Sequence, residues 1–229
     1  MFWNEDKAED KGYKVPDDVV DLSFAIACKM LPLDHAYALS QALQAALPWY
    51  ADEAAAGLHL IHGAESGNGW YRPQDAAGAV LHLSRRTRMM LRVPKHRIDA
   101  ARTLEGMALE VAGHRVEVGE SVIKPLSAMS TLFARHVVMA DADLNEAAFL
   151  DQVVTEMRSL GIRVNKILCG RAHDLNTPEG PIHTQSVMIA DLEPEPAVVL
   201  QQKGIGPGRK MGCGLFLAHK GIKPVKETH

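Results

Sequence analysis

Residues 203–216, KGIGPGRKMGCGLF, hold five glycines (Gly204, Gly206, Gly208, Gly212, Gly214), three cations (Lys203, Arg209, Lys210) and no carboxylate. Glycine reaches positive φ at little steric cost and lets a backbone approach a ligand closely. Successive N–H groups in such a loop form an anion-binding concavity, and arginine and lysine add charge suited to phosphate. The stretch is not a Walker A loop, because Lys210 is followed by Met211 instead of a hydroxyl residue. Nor is it a dinucleotide fingerprint, which opens a helix early in a βαβ unit; this loop runs into LFLAH near the C-terminus. A plain glycine-rich turn is the competing reading.

The second chemical candidate is His35, directly after Asp34 and in the first turn of an expected helix. N–H groups at a helix start attract phosphate, and the dipole there favours a neutral, base-competent ring unless the Asp34 charge opposes it. A free pKa of about 6.5 suits imidazole to proton transfer. The competing reading is a packing histidine, since its helical angle lies close to Leu39, Ala42 and Ala46. Tyr37 and Ser40 fall on the other side of the helix and are candidates for orienting a ligand or assisting the chemistry. His59 and His62 form an HxxH pair, but on a strand that spacing points them to opposite faces. No metal site and no cofactor are expected, and the other histidines are left unassigned except His96, inside a basic run.

Net charge is −3, yet residues 1–20 alone carry six acids and three bases, so the remaining chain sums to zero. Within it, residues 85–97 (RRTRMMLRVPKHR) hold six Lys/Arg and no acid, and residues 203–223 hold five Lys/Arg and no acid. Two acid-free basic segments predict a polyanion footprint, against the alternative of two solvated faces. Arg85, Arg86, Arg88, Arg92, Lys95 and Arg97 are the expected phosphate contacts in the first run, with Arg86, Arg88 and Arg92 sharing a face. In the second run they are Lys203, Gly206, Gly208, Arg209, Lys210 and Gly212. Trp70 and Tyr71 beside the SGNG loop are candidates for stacking on a base. Three cysteines far apart argue against a disulfide framework, and the acidic, polar N-terminus is not a signal or transit sequence. A cytoplasmic protein with no membrane partner is expected.

The elements that must position these residues follow from periodicity. Residues 1–20 read as an acidic flexible leader. Strands are expected over 21–28, 57–62, 80–84 and 89–93, a hairpin over 109–118 with Gly113 in its turn, and a strand over 121–126. Helices are expected from Asp34, as N-cap, to about Leu47, and over 95–104. The second half gives strands over 132–139, 164–169, 186–190 and 215–219. Between them come a helix over 144–160, with apolar Ala148, Leu150, Val153, Val154, Met157 and Leu160, and a short helix over 194–202. Both halves read β-α-β-β-α-β, an α+β fold of tandem ferredoxin-like domains: 21–128 with an inserted hairpin, and 129–229 with the glycine-rich loop.

That architecture with a C-terminal glycine-rich loop resembles the repeat-associated RNA-binding (RAMP) superfamily of CRISPR systems. The segments DLSFAIACKMLPLDHAYALSQAL, GLHLIHGAESGNGWYRP, LHLSRRTRMMLRVPKHR and GIGPGRKMGCGLF, in that order, resemble the sixth Cas family, the precursor-crRNA endoribonuclease, in its type I-MYXAN branch. The resemblance spans residues 21–223. It implies metal-independent cleavage of CRISPR repeat RNA to mature crRNA, leaving a 2′,3′-cyclic phosphate and a 5′-hydroxyl, with other Cas effector subunits as further partners. The family's histidine in or near the first helix falls on His35, with variable Tyr, Ser or Lys helpers. Two alternatives stand beside it: a non-catalytic crRNA-binding subunit, and a nucleotide-binding enzyme on the same fold.

Overall fold

The computed structural model describes residues 13–62, 79–139 and 145–219. Its strands are β1 (Val19–Ala27), β2 (Met30–Pro32), β3 (Gly57–His59), β4 (Val80–His82), β5 (Arg88–Pro94), β6 (Ala108–Val111), β7 (His114–Lys124), β8 (Leu132–Val138), β9 (Lys166–Thr177), β10 (Gly180–Ala190) and β11 (Leu217–Ala218). The helices are α1 (Ala36–Ala46), α2 (Ile98–Arg102), α3 (Glu146–Ser159) and α4 (Pro194–Lys203).

Two antiparallel sheets carry the fold. The first has the order β3-β5-β1-β7-β6 and the second β11-β8-β10-β9. Numbered within each half, β1, β3, β5, β7 and β8, β9, β10, β11 both follow the ferredoxin-like order, with β6 added outside β7. The α+β class and the ferredoxin-like pattern expected from periodicity are therefore present.

Alternation explains the cores. On β1, Val20, Leu22, Phe24 and Ile26 pack with Leu39, Leu43 and Leu47 around α1, while Asp21 and Ser23 point to the opposite sheet face. On α3, Phe149, Val153 and Met157 recur at helical spacing and bury against Leu132, Ala134, Val187 and Ile189 of the second sheet. Asn145 caps α3 by accepting from the Ala148 N–H at 3.0 Å.

Several local expectations are corrected. Residues 80–84 and 89–93, readable as a strand pair or as one long bent strand, are neither: β4 forms a separate ribbon with β2. The hairpin strand and the strand over 121–126 are one element, β7, whose register against β1 shifts between Phe24 and Ile26, opposite Gly119. Ala112 and Gly113 both have positive φ (48° and 80°), the tight turn a two-residue hairpin needs. The stretch between the strands expected over 164–169 and 186–190 is mostly strand. β9 and β10 run to a short turn at 178–179, because ladder pairing satisfies the backbone of a segment whose polar side chains read as loop. The helix over 95–104 is a 3-10 turn, Lys95–Arg97, followed by the five residues of α2.

Candidate active site and inter-sheet junction

His35 does not lie within the first turn of α1. It is the N-cap residue, and its side chain makes no cap bond. The ring turns back instead. Nδ1 lies 2.9 Å from Pro32 O and 3.2 Å from Leu33 O, and the Ile61 N–H points at Nε2 at 3.2 Å. Carbonyls only accept, so the proton is on Nδ1; an amide N–H only donates, so Nε2 offers its lone pair. His35 is a buried, neutral imidazole joining the β2–α1 turn to the chain just after β3. Asp34, the expected cap, faces outward and accepts from Asn176 Nδ2 at 2.6 Å. Ser40 is not on the outer side of α1: it is buried on the inward stripe with Ala36, Leu39 and Leu43, and its Oγ accepts from Gln44 Nε2 at 3.0 Å. Tyr37 is half-buried.

The helix start meets the second half of the chain. Ala36, Leu175 of β9 and Cys213 of the glycine loop form one small apolar cluster, with Leu60, Val138 and Ile182 against it. Burial pushes the Cys213 thiol up to about 12. Glycine is required where the loop closes. A Cβ on Gly214 (φ +66°) would stand 1.8 Å from Ile205 O, and one on Gly212 (φ +88°) 2.7 Å from Leu60 Cγ. The Gly214 N–H donates to His136 O at 2.7 Å, tying the loop to β8. The Gly206 N–H donates to Glu156 Oε2 at 2.6 Å, so a carboxylate of α3 already sits on one of the loop's outward donors.

The expected cations divide into two groups. Arg92 is fully buried. Its Nε and Nη2 donate to Asp21 Oδ1 and Oδ2 at 2.9 and 2.8 Å, and Nη1 donates to Gln201 O at 2.7 Å and Phe216 O at 3.0 Å. It joins β1 of the first sheet to the chain around α4 and β11, and has no donor directed to solvent. His59 Nε2 donates to the same carboxylate at 3.2 Å. Burial alone would raise the Asp21 carboxyl, but His59 and Arg92 outweigh it and hold it well below the usual range. Burial pushes His59 itself down, toward the neutral ring, so Arg92 is the permanent cation.

Arg209 and Lys210 also turn inward. Arg209 donates to Lys203 O (2.7 Å), Gln202 O (2.8 Å) and Ala55 O (3.0 Å); burial, then the nearby Arg92 charge, lowers it to about 10. Lys210 donates to Ala56 O at 2.9 Å and to Glu53 O, and sits over the Tyr50 ring at 4.6 Å. Burial, then Arg209, lowers it to about 8. Exposed, by contrast, are Arg85, Arg86, Arg88 and Lys203. Lys95 is exposed and paired with Asp17 at 2.5 Å, and Arg97 pairs with Glu53 at 3.1 Å and lies over Trp49. Trp70 and Tyr71 lie outside the described residues.

Two histidines that sequence reasoning left unassigned, His136 and His173, lie on the sheet face that meets this junction. Their rings are 5.6 Å apart. Only strand register reveals them, because they are 37 residues apart in the chain.

Comparison with known proteins decides the family. The family model described as Cas6 Crispr matches residues 20–221. The chain belongs to the Cas6 family. It is 30% identical over 198 residues to the CRISPR-associated endonuclease Cas6 of Myxococcus xanthus, covering 86% of this chain and 80% of that protein. The fold agrees. A solved CRISPR-associated Cas6 superposes with TM-score 0.59 at 10% identity, covering 88% of this chain and all of the other. A RAMP protein described as binding different RNA substrates superposes with TM-score 0.58 at 13% identity, covering 88% and 98%. A Cas6-related protein from Pyrococcus furiosus gives 0.57 at 12% identity, covering 92% and 100%. Among the described residues of this Cas6 chain, no helix is long and apolar enough to cross a membrane.

Proposed function

We propose that this Cas6 chain is a metal-independent endoribonuclease that cuts CRISPR repeat RNA to mature crRNA. Two ferredoxin-like units, residues 21–128 and 129–229, hold the RNA between them. The 2′-hydroxyl attacks the adjacent phosphorus, the 5′-oxygen leaves, and the products are a 2′,3′-cyclic phosphate and a 5′-hydroxyl. A base, an acid and a source of N–H or cationic stabilisation suffice for this reaction.

The observation that carries the reading is the convergence of α1, the end of β3, the glycine loop and the β9–β10 hairpin on the cluster around Ala36, beside a neutral histidine. His35 is the proposed base. Its Nε2 lone pair accepts the Ile61 N–H at 3.2 Å, so a role as base requires that contact to open when RNA binds. Tyr37 orients the RNA, and buried Ser40 supports the helix. Arg85, Arg86, Arg88, Lys95, Arg97 and Lys203 supply phosphate contacts, while Gly206, Gly208 and Gly212 shape the loop, the Gly206 and Gly212 N–H groups being taken by Glu156 Oε2 and Arg209 O. Arg92, Arg209 and Lys210 shape the site from behind. The protein works in the cytoplasm and hands its product to other Cas subunits.

One observation favours a second reading, a crRNA-holding subunit without cleavage: both ring nitrogens of His35 are engaged by backbone. Incubation with the repeat transcript separates the two. The endonuclease leaves one cut per repeat, with a 3′ end that becomes a free hydroxyl only after its cyclic phosphate is removed. Tight binding with intact RNA supports the subunit instead.

A further inference from the structure

In-line attack by a 2′-hydroxyl needs two proton transfers, and His35 as a neutral ring accounts for one. We propose that His173 is the second catalytic residue of the same site, the acid that protonates the leaving 5′-oxygen; this rests on the endoribonuclease reading. The His136, Thr184 and His173 side chains meet across β8, β10 and β9: Thr184 is in register with His173 on one side and with Val138 on the other, and His136 reaches it through its ring. The Thr184 hydroxyl donates to His173 O at 2.7 Å, so its 3.0 Å contact with His136 Nδ1 must be one in which the imidazole donates. His136 is thereby held with a proton on Nδ1, buried, and forms a wall. The His173 ring stands edge-on to it, 5.6 Å between centroids and 63° between planes, and is half-buried.

The location supplies the rest. Leu175 is two residues beyond His173 on the same face of β9, about 7 Å along the strand. Leu175 packs on Ala36, the neighbour of His35, and on Cys213 of the glycine loop. Gly214 is bonded to His136 O. His35 and His173 therefore each lie close in the chain to the Ala36–Leu175–Cys213 contact, His35 one residue from it on the first half and His173 two residues from it on the second. In the reaction the 2′-O–P bond forms as His35 takes the 2′-hydroxyl proton. The P–O5′ bond breaks as His173 imidazolium gives its proton to the departing oxygen. Proton exchange with water restores both rings.

A bridging 5′-phosphorothiolate tests this, because a thiolate leaves without being protonated. His173→Ala and His173→Gln would be compared with wild type in single-turnover cleavage of the repeat RNA and of its 5′-sulfur counterpart, with a thermal melt of each protein. The expected result is a loss of about 10²–10⁴ on the oxygen substrate and recovery to within a few-fold of wild type on the sulfur substrate. His35→Gln should stay slow on both. Cleavage of the oxygen substrate within a few-fold of wild type, or equal loss on both substrates by a folded His173→Gln, would overturn the assignment. Failure of the wild-type protein to cut either RNA would instead refute the endoribonuclease reading itself.

Discussion

Arg92→Ala removes the centre of the buried network between the sheets. Four donor interactions disappear, two to the Asp21 carboxylate and two to the carbonyls of Gln201 and Phe216. The carboxylate stays buried, with His59 as its remaining side-chain partner among the described residues. Leaving such a charge without its partner costs about 3–5 kcal/mol, a large part of the roughly 5–15 kcal/mol that holds a domain together. The pH dependence follows from the same groups. The folded-state pKa of Asp21 lies far below its unfolded value of about 3.9, so its stabilisation is present above that pH and lost as pH falls through the folded value. Without Arg92 the carboxyl rises and His59, relieved of a neighbouring cation, rises too. The variant's deficit should therefore be smaller at a mildly acidic pH of about 5.5 than at about 8, because gain of a proton by His59 offsets part of the missing charge. Urea denaturation followed by circular dichroism at both pH values gives the numbers. Asp21→Asn with Arg92→Met should lose less than Arg92→Ala alone, since no unpaired charge remains. A loss under about 1 kcal/mol for Arg92→Ala, or a deficit unchanged between the two pH values, would refute this account of the network.

His35→Ala should slow single-turnover cleavage by about 10²–10⁴ and also lower the melting temperature, because it strands the Ile61 N–H and the Pro32 carbonyl at about 1–3 kcal/mol each; normal cleavage by the destabilised variant would make His35 a packing residue. Arg85→Ala with Arg86→Ala should reduce the slope of log affinity against log salt by about 0.7–0.9 for each phosphate no longer neutralised, whereas Arg209→Ala with Lys210→Ala should lower stability and leave that slope nearly unchanged. Because Lys210 is lowered to about 8 when folded, against about 10.4 unfolded, the unfolded chain holds more protons between those values and Lys210 makes stability rise with pH across that window; Lys210→Met should flatten the rise in urea titrations. Gly214→Ala, with its Cβ driven into Ile205 O at positive φ, should yield little soluble folded protein.

The fold was legible where burial has a period. The stripe of α3, the alternation of β1 and the glycine turn of the β6–β7 hairpin each follow from local spacing. The long arms of β9 and β10 were not, because His173, Asp174, Asn176 and Gln185 look like loop residues and become strand only through pairing. In the site, the glycine loop and His35 could be selected by residue type. The direction of a side chain could not. Arg92, Arg209 and Lys210 have the charge of phosphate ligands, but carbonyls and one carboxylate from distant segments take their donors. The grouping of His136, Thr184 and His173 depends on strand pairing and on a register shift between Gln185 and Val187, neither of which simple alternation reveals.

The proposed reaction is cleavage by the RNA's own 2′-hydroxyl with no metal required. The direct measurement is incubation of the protein in EDTA with two repeat RNAs, one natural and one carrying a single 2′-deoxy nucleotide on the 5′ side of the cut, followed on a sequencing gel beside a binding titration. Both RNAs should bind equally, the natural RNA should be cut at one position, and the deoxy RNA should stay whole. Cutting of the deoxy RNA at that position, or abolition of natural cleavage by EDTA, would contradict it.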